Sequence, residues 1–427
     1  MLKYLGILIT GCVTSLYYFP FFFKAFPAQN TKNMLALIGF VLFAVQVCLR
    51  RMSIFSKDYI QMFALALVFS LVVFFSITSN ATYDMAYARF IVSVSLWMSA
   101  AFLVCSVIRF THGYIDVELL CKYLIAVCVL QCVIALVIDT NSAVKIFVNT
   151  YVEQGQSFLD SNHVKRLYGI GASLDVAGSR FSAVLVLIAT ILFRKSNDNR
   201  IISLLVLAFL IISIVGNMIA RTTTVGMILG FLFIMYYLHS NGYKYRRMIY
   251  WICALSMLVI PILGYLYNRD ANFERLVKFG FEGFISIIEK GEWHTTSNEA
   301  LTNMIVFPDN IKTWIIGDGY FDNPFETDPY FTGDHYAGFY KGTDIGYLRF
   351  IFYCGLTGLI VLIAYFFKVT QICIRRYINY KTMFLLLLAI NMIVWLKVST
   401  DIFLVFALFL SIPKESNCVL TNCSAKQ

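Results

Sequence analysis

Apolar runs separated by polar connections of very unequal length make up almost the whole chain. Twelve such runs are found, at about 4–23, 33–49, 59–78, 88–108, 119–138, 174–193, 201–219, 223–239, 248–267, 346–367, 382–396 and 402–412. Most approach the roughly 20 residues that carry a helix across about 30 Å of hydrocarbon. The last two are short. The alternating segments of about ten residues that mark a membrane barrel are not seen. The pattern predicts an all-α, polytopic integral membrane protein with about twelve transmembrane helices. Residues 1–413 form a single helical domain and 414–427 a tail.

Two connections are long, residues 139–173 and 268–345. The second, between the ninth and tenth runs, has an internal pattern. In NFERLVKFGFEGFISIIEKGE, apolar residues at 273, 276, 277, 281, 284, 285 and 288 form a helical stripe, with Glu274, Lys278, Glu282 and Glu289 off it. Such a helix covers the outer ends of the spans or rests in the membrane interface as a lid. Thr296 and Glu299 have capping-box spacing ahead of a second short helix. IIGDGYFDNPFETDP, dense in Gly, Asp and Pro, predicts turns.

Composition removes other classes. The 427 residues are 59% hydrophobic and 14% charged, with mean hydropathy +0.75. A soluble domain is about 45–50% apolar and 25% charged, so the excess must face lipid. The eleven cysteines include no CxxC pair, against a zinc site or disulfide framework. The net charge of +10 is a topology signal, which removes the case for nucleic acid. Eighteen Lys and Arg fall in one set of connections and five in the short connections opposite, which places both termini in the cytoplasm and both long loops outside.

A charge at the centre of a membrane helix is costly and most runs carry none; the exceptions gather near the predicted outer ends. The bases are Arg89, Lys165, Arg166, Arg180, Arg221, Arg349 and Lys397; the acids are Asp84, Asp175, Asp344 and Asp401. Some could pair locally, Asp175 with Arg180 or Lys397 with Asp401. As a group, guanidinium side chains meeting at one leaflet suit an anion with planar, bidentate oxygens, such as a lipid-linked diphosphate. In RLYGIGASLDVAGSR (166–180), small residues allow close backbone approach, either to phosphate or between packed helices.

The Arg-x-Thr-Thr start of a span at 221–224, a long late loop, and then TDIGYLRFIFYCGLTG together resemble the O-antigen polymerase (Wzy) and O-antigen ligase superfamily of bacterial inner-membrane glycosyltransferases. Tyr347, Leu348, Gly355, Leu356 and Gly358 match the family pattern at the loop's end, while Asp344 stands where the ligases carry His. That departure favours the polymerase branch. The resemblance implies a GT-C-like, metal-independent enzyme without cofactor. It would transfer a growing polysaccharide from undecaprenyl diphosphate onto a new lipid-linked repeat unit at the periplasmic face. Partners implied are those lipid-linked saccharides, membrane lipid, and a chain-length regulator and flippase of the same pathway.

Asp344 is then the base, with His335 in reserve. Arg221, Arg349, Arg166 and Arg180 are expected on the diphosphate, and Tyr336, Tyr340 and Tyr347 against sugar faces. A local Asp344–Arg349 ion pair is the plainer alternative for those two residues. Rival functions are an O-antigen ligase acting on lipid A–core and, in a different class, a flippase for the lipid-linked unit.

Overall fold

A computed structural model describes the chain except residues 1, 50–56, 154–165, 194–197, 242–245, 324–338 and 414–427. The described helices are α1 (Leu2–Tyr18), α2 (Thr31–Cys48), α3 (Lys57–Ser79), α4 (Phe90–His112), α5 (Val117–Thr140), α6 (Ser142–Tyr151), α7 (Leu174–Leu192), α8 (Asn199–Ile219), α9 (Thr223–Asn241) and α10 (Arg246–Arg269). Four short helices follow in the long loop, α11 (Ala271–Gly280), α12 (Glu282–Lys290), α13 (Thr296–Asn303) and α14 (Ile311–Ile315). The chain then forms α15 (Gly346–Arg376), α16 (Lys381–Val394) and α17 (Phe403–Ser411).

Every apolar run therefore carries a helix. Among the described residues, eight are long and apolar enough to cross a membrane, namely α2 to α5, α7 to α9 and α15. α1 and α16 are shorter, and α17, with nine residues, is only about 14 Å long. The first run also ends early. Residues beyond Tyr18 leave the helix for strands Phe22–Phe23 (β1) and Phe26–Asn30 (β2), which pair with Val152–Glu153 (β3) in a three-stranded sheet, order β2-β1-β3. This small antiparallel sheet ties the end of α1 to the loop at 139–173.

Polar side chains set many of the helix starts. Asn30, Asp116, Asn141, Asp270 and Asn310 each accept a backbone N–H of the first turn. The cap of α13 is Thr295, which accepts from the Asn298 N–H, rather than Thr296. The amphipathic stripe of 273–288 is split in two at Phe281. Just before the break, Gly280 lets the chain approach the end of α8, since a Cβ there would lie 3.0 Å from the Asn217 carbonyl carbon.

α15 is also broken, although its apolar pattern runs on without interruption. Gly355 has φ 66° and ψ −178°, a conformation essentially closed to other residues. Phe350 and Phe366 both pack against Trp395, at 5.2 and 5.4 Å between ring centroids. A straight helix would hold those two residues about 24 Å apart along its axis. The bend thus turns Gly346–Cys354 back into the bundle and carries Arg349 with it.

A Cβ at Gly355 would meet the Ile315 carbonyl oxygen at 2.2 Å. Gly355→Ala is therefore expected to lower stability by about 1–3 kcal/mol. Gly11→Ala, where nothing lies within 4 Å, should be neutral or slightly stabilising. Thermal unfolding of the two variants in detergent checks the contrast.

Candidate functional site

Two charged groups meet the connection between α16 and α17, residues 395–402, and another adjoins one of them through Asp175. The first lies at the start of α7. Asp175, Gly178 and Ser182 fall on one face by helical spacing and dock onto the beginning of α9. There the Thr222 hydroxyl donates to Asp175 Oδ1, the Ser182 hydroxyl donates to the Thr222 carbonyl at 2.8 Å, and the Gly226 N–H donates to Ser182 Oγ. Gly178 is needed for this approach, since a Cβ would lie 2.9 Å from the Cβ atoms of Ala220 and Thr222. Gly169 and Gly171 likewise press against Gln131 and the Phe19 backbone. The small residues of 166–180 serve helix packing.

Docked in this way, Asp175 receives Lys397 Nζ at 2.9 Å. The local pairs expected from spacing do not form. Asp175 and Arg180, five residues apart, point about 140° apart around α7. Asp401 instead caps the Phe403 N–H at 2.8 Å.

Arg221 and Arg166 form the second group. Arg221 follows α8 and donates from Nε to the Phe279 carbonyl at 2.9 Å, and its Nη1 lies 2.6 Å from Glu282 Oε2. Its guanidinium carbon stands 4.4 Å from the centroid of the Phe279 ring, and that of Arg166 stands 5.0 Å from the same ring. Phe279 thus gathers two cations through the negative face of one aromatic ring. Arg166 also feels the Asp175 carboxylate. Beside Arg221 opens a cleft of about 490 Å³, lined by Arg275, Lys278, Glu282, Ser286, Lys290 and His294 among others.

The third group surrounds Arg349. Burial of this residue, 7% exposed, is offset by four contacts. Nη2 donates to Asp322 Oδ1 at 2.7 Å and to the Phe321 carbonyl at 3.2 Å, Nη1 donates to Ser399 Oγ at 3.0 Å, and Asp344 Oδ1 lies 3.6 Å from Nη1. Asp84 fixes this wall by accepting the Phe321 N–H at 2.7 Å. Gly346 lets α15 start against the 395–402 connection, because a Cβ would lie 2.6 Å from the Val398 carbonyl oxygen.

Asp344 stands between the groups. Burial pushes its carboxyl up to about 7, against the pull of Arg349; Asp175 raises it further and Lys397 lowers it. A chain of neighbouring charges therefore runs Arg221, Arg166, Asp175, Lys397, Asp344, Arg349. Arg180 is not in it. None of the charges acting on Asp344, Arg166 or Arg221 is Arg180, which lies instead by Tyr18, Phe19 and Asp401. The four arginines do not share one pocket.

The two described tyrosines are committed to the interior. Tyr340 stacks on Tyr320 and its hydroxyl lies 3.3 Å from Asp318 Oδ2, while the Tyr347 hydroxyl donates to the Met392 carbonyl at 2.9 Å. His335 and Tyr336 fall outside the described residues. Lys397, Asp175, Ser399 and Asp322 are partners that the sequence did not assign to the site, although the first two stood out as charges near the outer ends of apolar runs. Among the described residues, no three His, Cys, Asp or Glu side chains are grouped to hold a metal ion. The chain matches no family model, no curated protein and no solved structure.

The Lys397–Asp175 pair closes the central charge chain. Lys397→Met is expected to cost more than Lys397→Met with Asp175→Asn, with a coupling of about 1–3 kcal/mol. A double-mutant cycle on thermal unfolding measures it, and purely additive effects would show that the pair carries no coupling.

Proposed function

We propose that the protein is a polysaccharide polymerase of the O-antigen type, a glycosyltransferase that moves a growing chain from undecaprenyl diphosphate onto a lipid-linked repeat unit. This reading includes a GT-C-like domain of twelve spans, with 414–427 and the N-terminus in the cytoplasm and the loops 139–173 and 268–345 in the periplasm of the inner membrane. One observation carries it. A carboxyl with its pKa near 7, Asp344, sits in a half-buried place next to Arg349 and in reach of further cations, at the junction of a long loop and a membrane helix.

The step needs a base and a stabilised leaving group. Asp344 takes the proton from the acceptor hydroxyl as its oxygen attacks the anomeric carbon of the donor sugar. The bond from that carbon to the diphosphate oxygen breaks, and the diphosphate leaves with both bonding electrons. A base whose pKa lies near working pH is the efficient one. Arg221, Arg166 and Lys397, all less buried than Arg349, hold the departing charge, Arg221 and Lys397 by giving up part of their bonding to Glu282 and Asp175. This is an electrostatic contribution of the kind that dominates many enzymes. Arg349 has a different part. Its donors are largely taken by Asp322, Ser399 and Phe321, so it positions Asp344 and favours its charged form.

Asp344→Asn should lower chain growth by about 10²–10⁴-fold at normal protein level, read as loss of the ladder made by purified protein from lipid-linked repeat units. A full ladder would discard Asp344 as base. The wild-type rate should rise with pH and level off above about 7, since only the carboxylate accepts a proton. The sign for stability is the reverse. A carboxyl whose folded pKa exceeds its unfolded value of about 3.9 loses folding stability as pH rises from there to about 7. Asp344→Asn should therefore melt no lower than wild type at pH 8. Deleting the gene separates polymerase from ligase: loss of the polymerase leaves lipopolysaccharide with at most one repeat, and a bare core would reject this function.

A further inference from the structure

Among the described residues, only Arg180 and Arg349 are charged and buried, 6% and 7% exposed. Their surroundings differ. Arg349 is met by two carboxylates, a hydroxyl and a carbonyl. Nε is buried without a hydrogen-bond partner in both, but among the described residues no guanidinium nitrogen of Arg180 donates a hydrogen bond, and its guanidinium carbon lies 5.9 Å from the centroid of the Phe19 ring. Its backbone carbonyl accepts the Tyr18 hydroxyl at 3.0 Å, which holds this turn of α7 against the end of α1. A guanidinium taken out of water without acceptors is costly unless something supplies them.

Two further charges share this part of the bundle. Lys32, near the start of α2, stands with Nζ 4.9 Å from the centroid of the Trp97 ring, and it feels both Asp401 and Arg180. Asp401 feels both cations, yet its Oδ1 is already engaged by the Phe403 N–H. Two cations against one carboxylate leave an excess of one positive charge, walled by Tyr17, Tyr18, Phe19 and Trp97. The Arg fork fits phosphate oxygens in a bidentate manner, and the Lys adds a point charge.

The 395–402 connection relates this cluster to the one described above. Lys397 joins Asp175, Ser399 joins Arg349, and Asp401 joins Arg180 and Lys32. One short segment thus carries, in order, a partner of Asp175, a partner of Arg349 and the carboxylate that feels Arg180 and Lys32.

We propose that Lys32, Arg180 and Asp401 form a second phospho-anion site, separate from Arg166 and Arg221, which takes the diphosphate of the second lipid-linked substrate. The assignment of the occupant rests on the glycosyl-transfer reading, because joining one lipid-linked chain to another requires two diphosphate headgroups at once. Asp344, which neighbours Lys397 and Arg349, then serves as base for the acceptor hydroxyl.

Native mass spectrometry of the detergent-released full chain, titrated with farnesyl diphosphate and separately with inorganic pyrophosphate, tests this. Wild type should bind two farnesyl diphosphates, Arg180→Gln one, Arg221→Gln one, and the double variant neither. Lys32→Gln, which alters a less buried residue, should weaken the second binding event at least tenfold and decides the matter if Arg180→Gln does not fold. Pyrophosphate reproducing the count places recognition in the phosphates alone. A count reached only with farnesyl diphosphate makes the site specific for a lipid headgroup. A wild type that never binds more than one diphosphate, or a second event unchanged in Arg180→Gln and in Lys32→Gln, overturns the proposal. The count does not depend on turnover. Two bound diphosphates in a protein that makes no polymer would sink the polymerase reading and leave this site standing.

Discussion

Backbone that leaves the helical ladder inside a membrane bundle must find other hydrogen-bond partners, because lipid offers none. The connection at 395–402 meets that demand from four directions. The Trp395 carbonyl accepts the Tyr347 N–H, the Ser399 carbonyl accepts the Tyr87 hydroxyl, and the Thr400 carbonyl accepts the Trp395 indole N–H. Asn391 supplies Oδ1 to the Ile402 N–H. Once those partners are committed, the side chains of Lys397, Ser399 and Asp401 have little freedom in where they point. The charged groups of α7, α15 and the loops are thereby arranged around a segment held mainly by its own backbone.

The same constraint explains why α15 has to bend. Tyr347 can reach the Trp395 carbonyl only if the first turns of α15 fold back toward α16, and Gly355 is the residue that permits it. Asp344 and Arg349 come along as passengers, and both lose water in the process. Burial is the largest influence on Asp344, and it is what moves an ordinary surface carboxyl into the range where proton transfer near neutral pH is efficient.

Much of the helical layout was legible because a segment facing lipid must be apolar along its length, and each of the twelve runs does contain a helix. The Asp344–Arg349 contact was also within reach, five residues apart at a polar border. Other features were hidden for identifiable reasons. The stripe at 273–288 continues through the break at Phe281, since both halves are amphipathic and keep the same apolar spacing. The bend at Gly355 lies inside an unbroken apolar run. Asp175 and Arg180 lie five residues apart, which on one helix already turns them about 140° from each other; what the sequence hid is that Asp175 takes Thr222 and Lys397 as its partners. Phe279 carried no signal as a platform for two arginines that lie 55 positions apart in the chain.

α17 has a consequence for biogenesis. Every residue from Phe403 to Leu410 is buried, although the helix is too short to bridge the hydrocarbon. Its carbonyl groups are met by Tyr17, Cys105, Tyr377 and Tyr59, contributed by or beside helices made much earlier in synthesis. Such a segment gives the insertion machinery no full-length hydrophobic signal and finds its partners only in an assembled protein. Docking of α17 therefore follows assembly of the helices that form its slot, and the clusters around 395–402, the segment leading into it, are completed only at that stage.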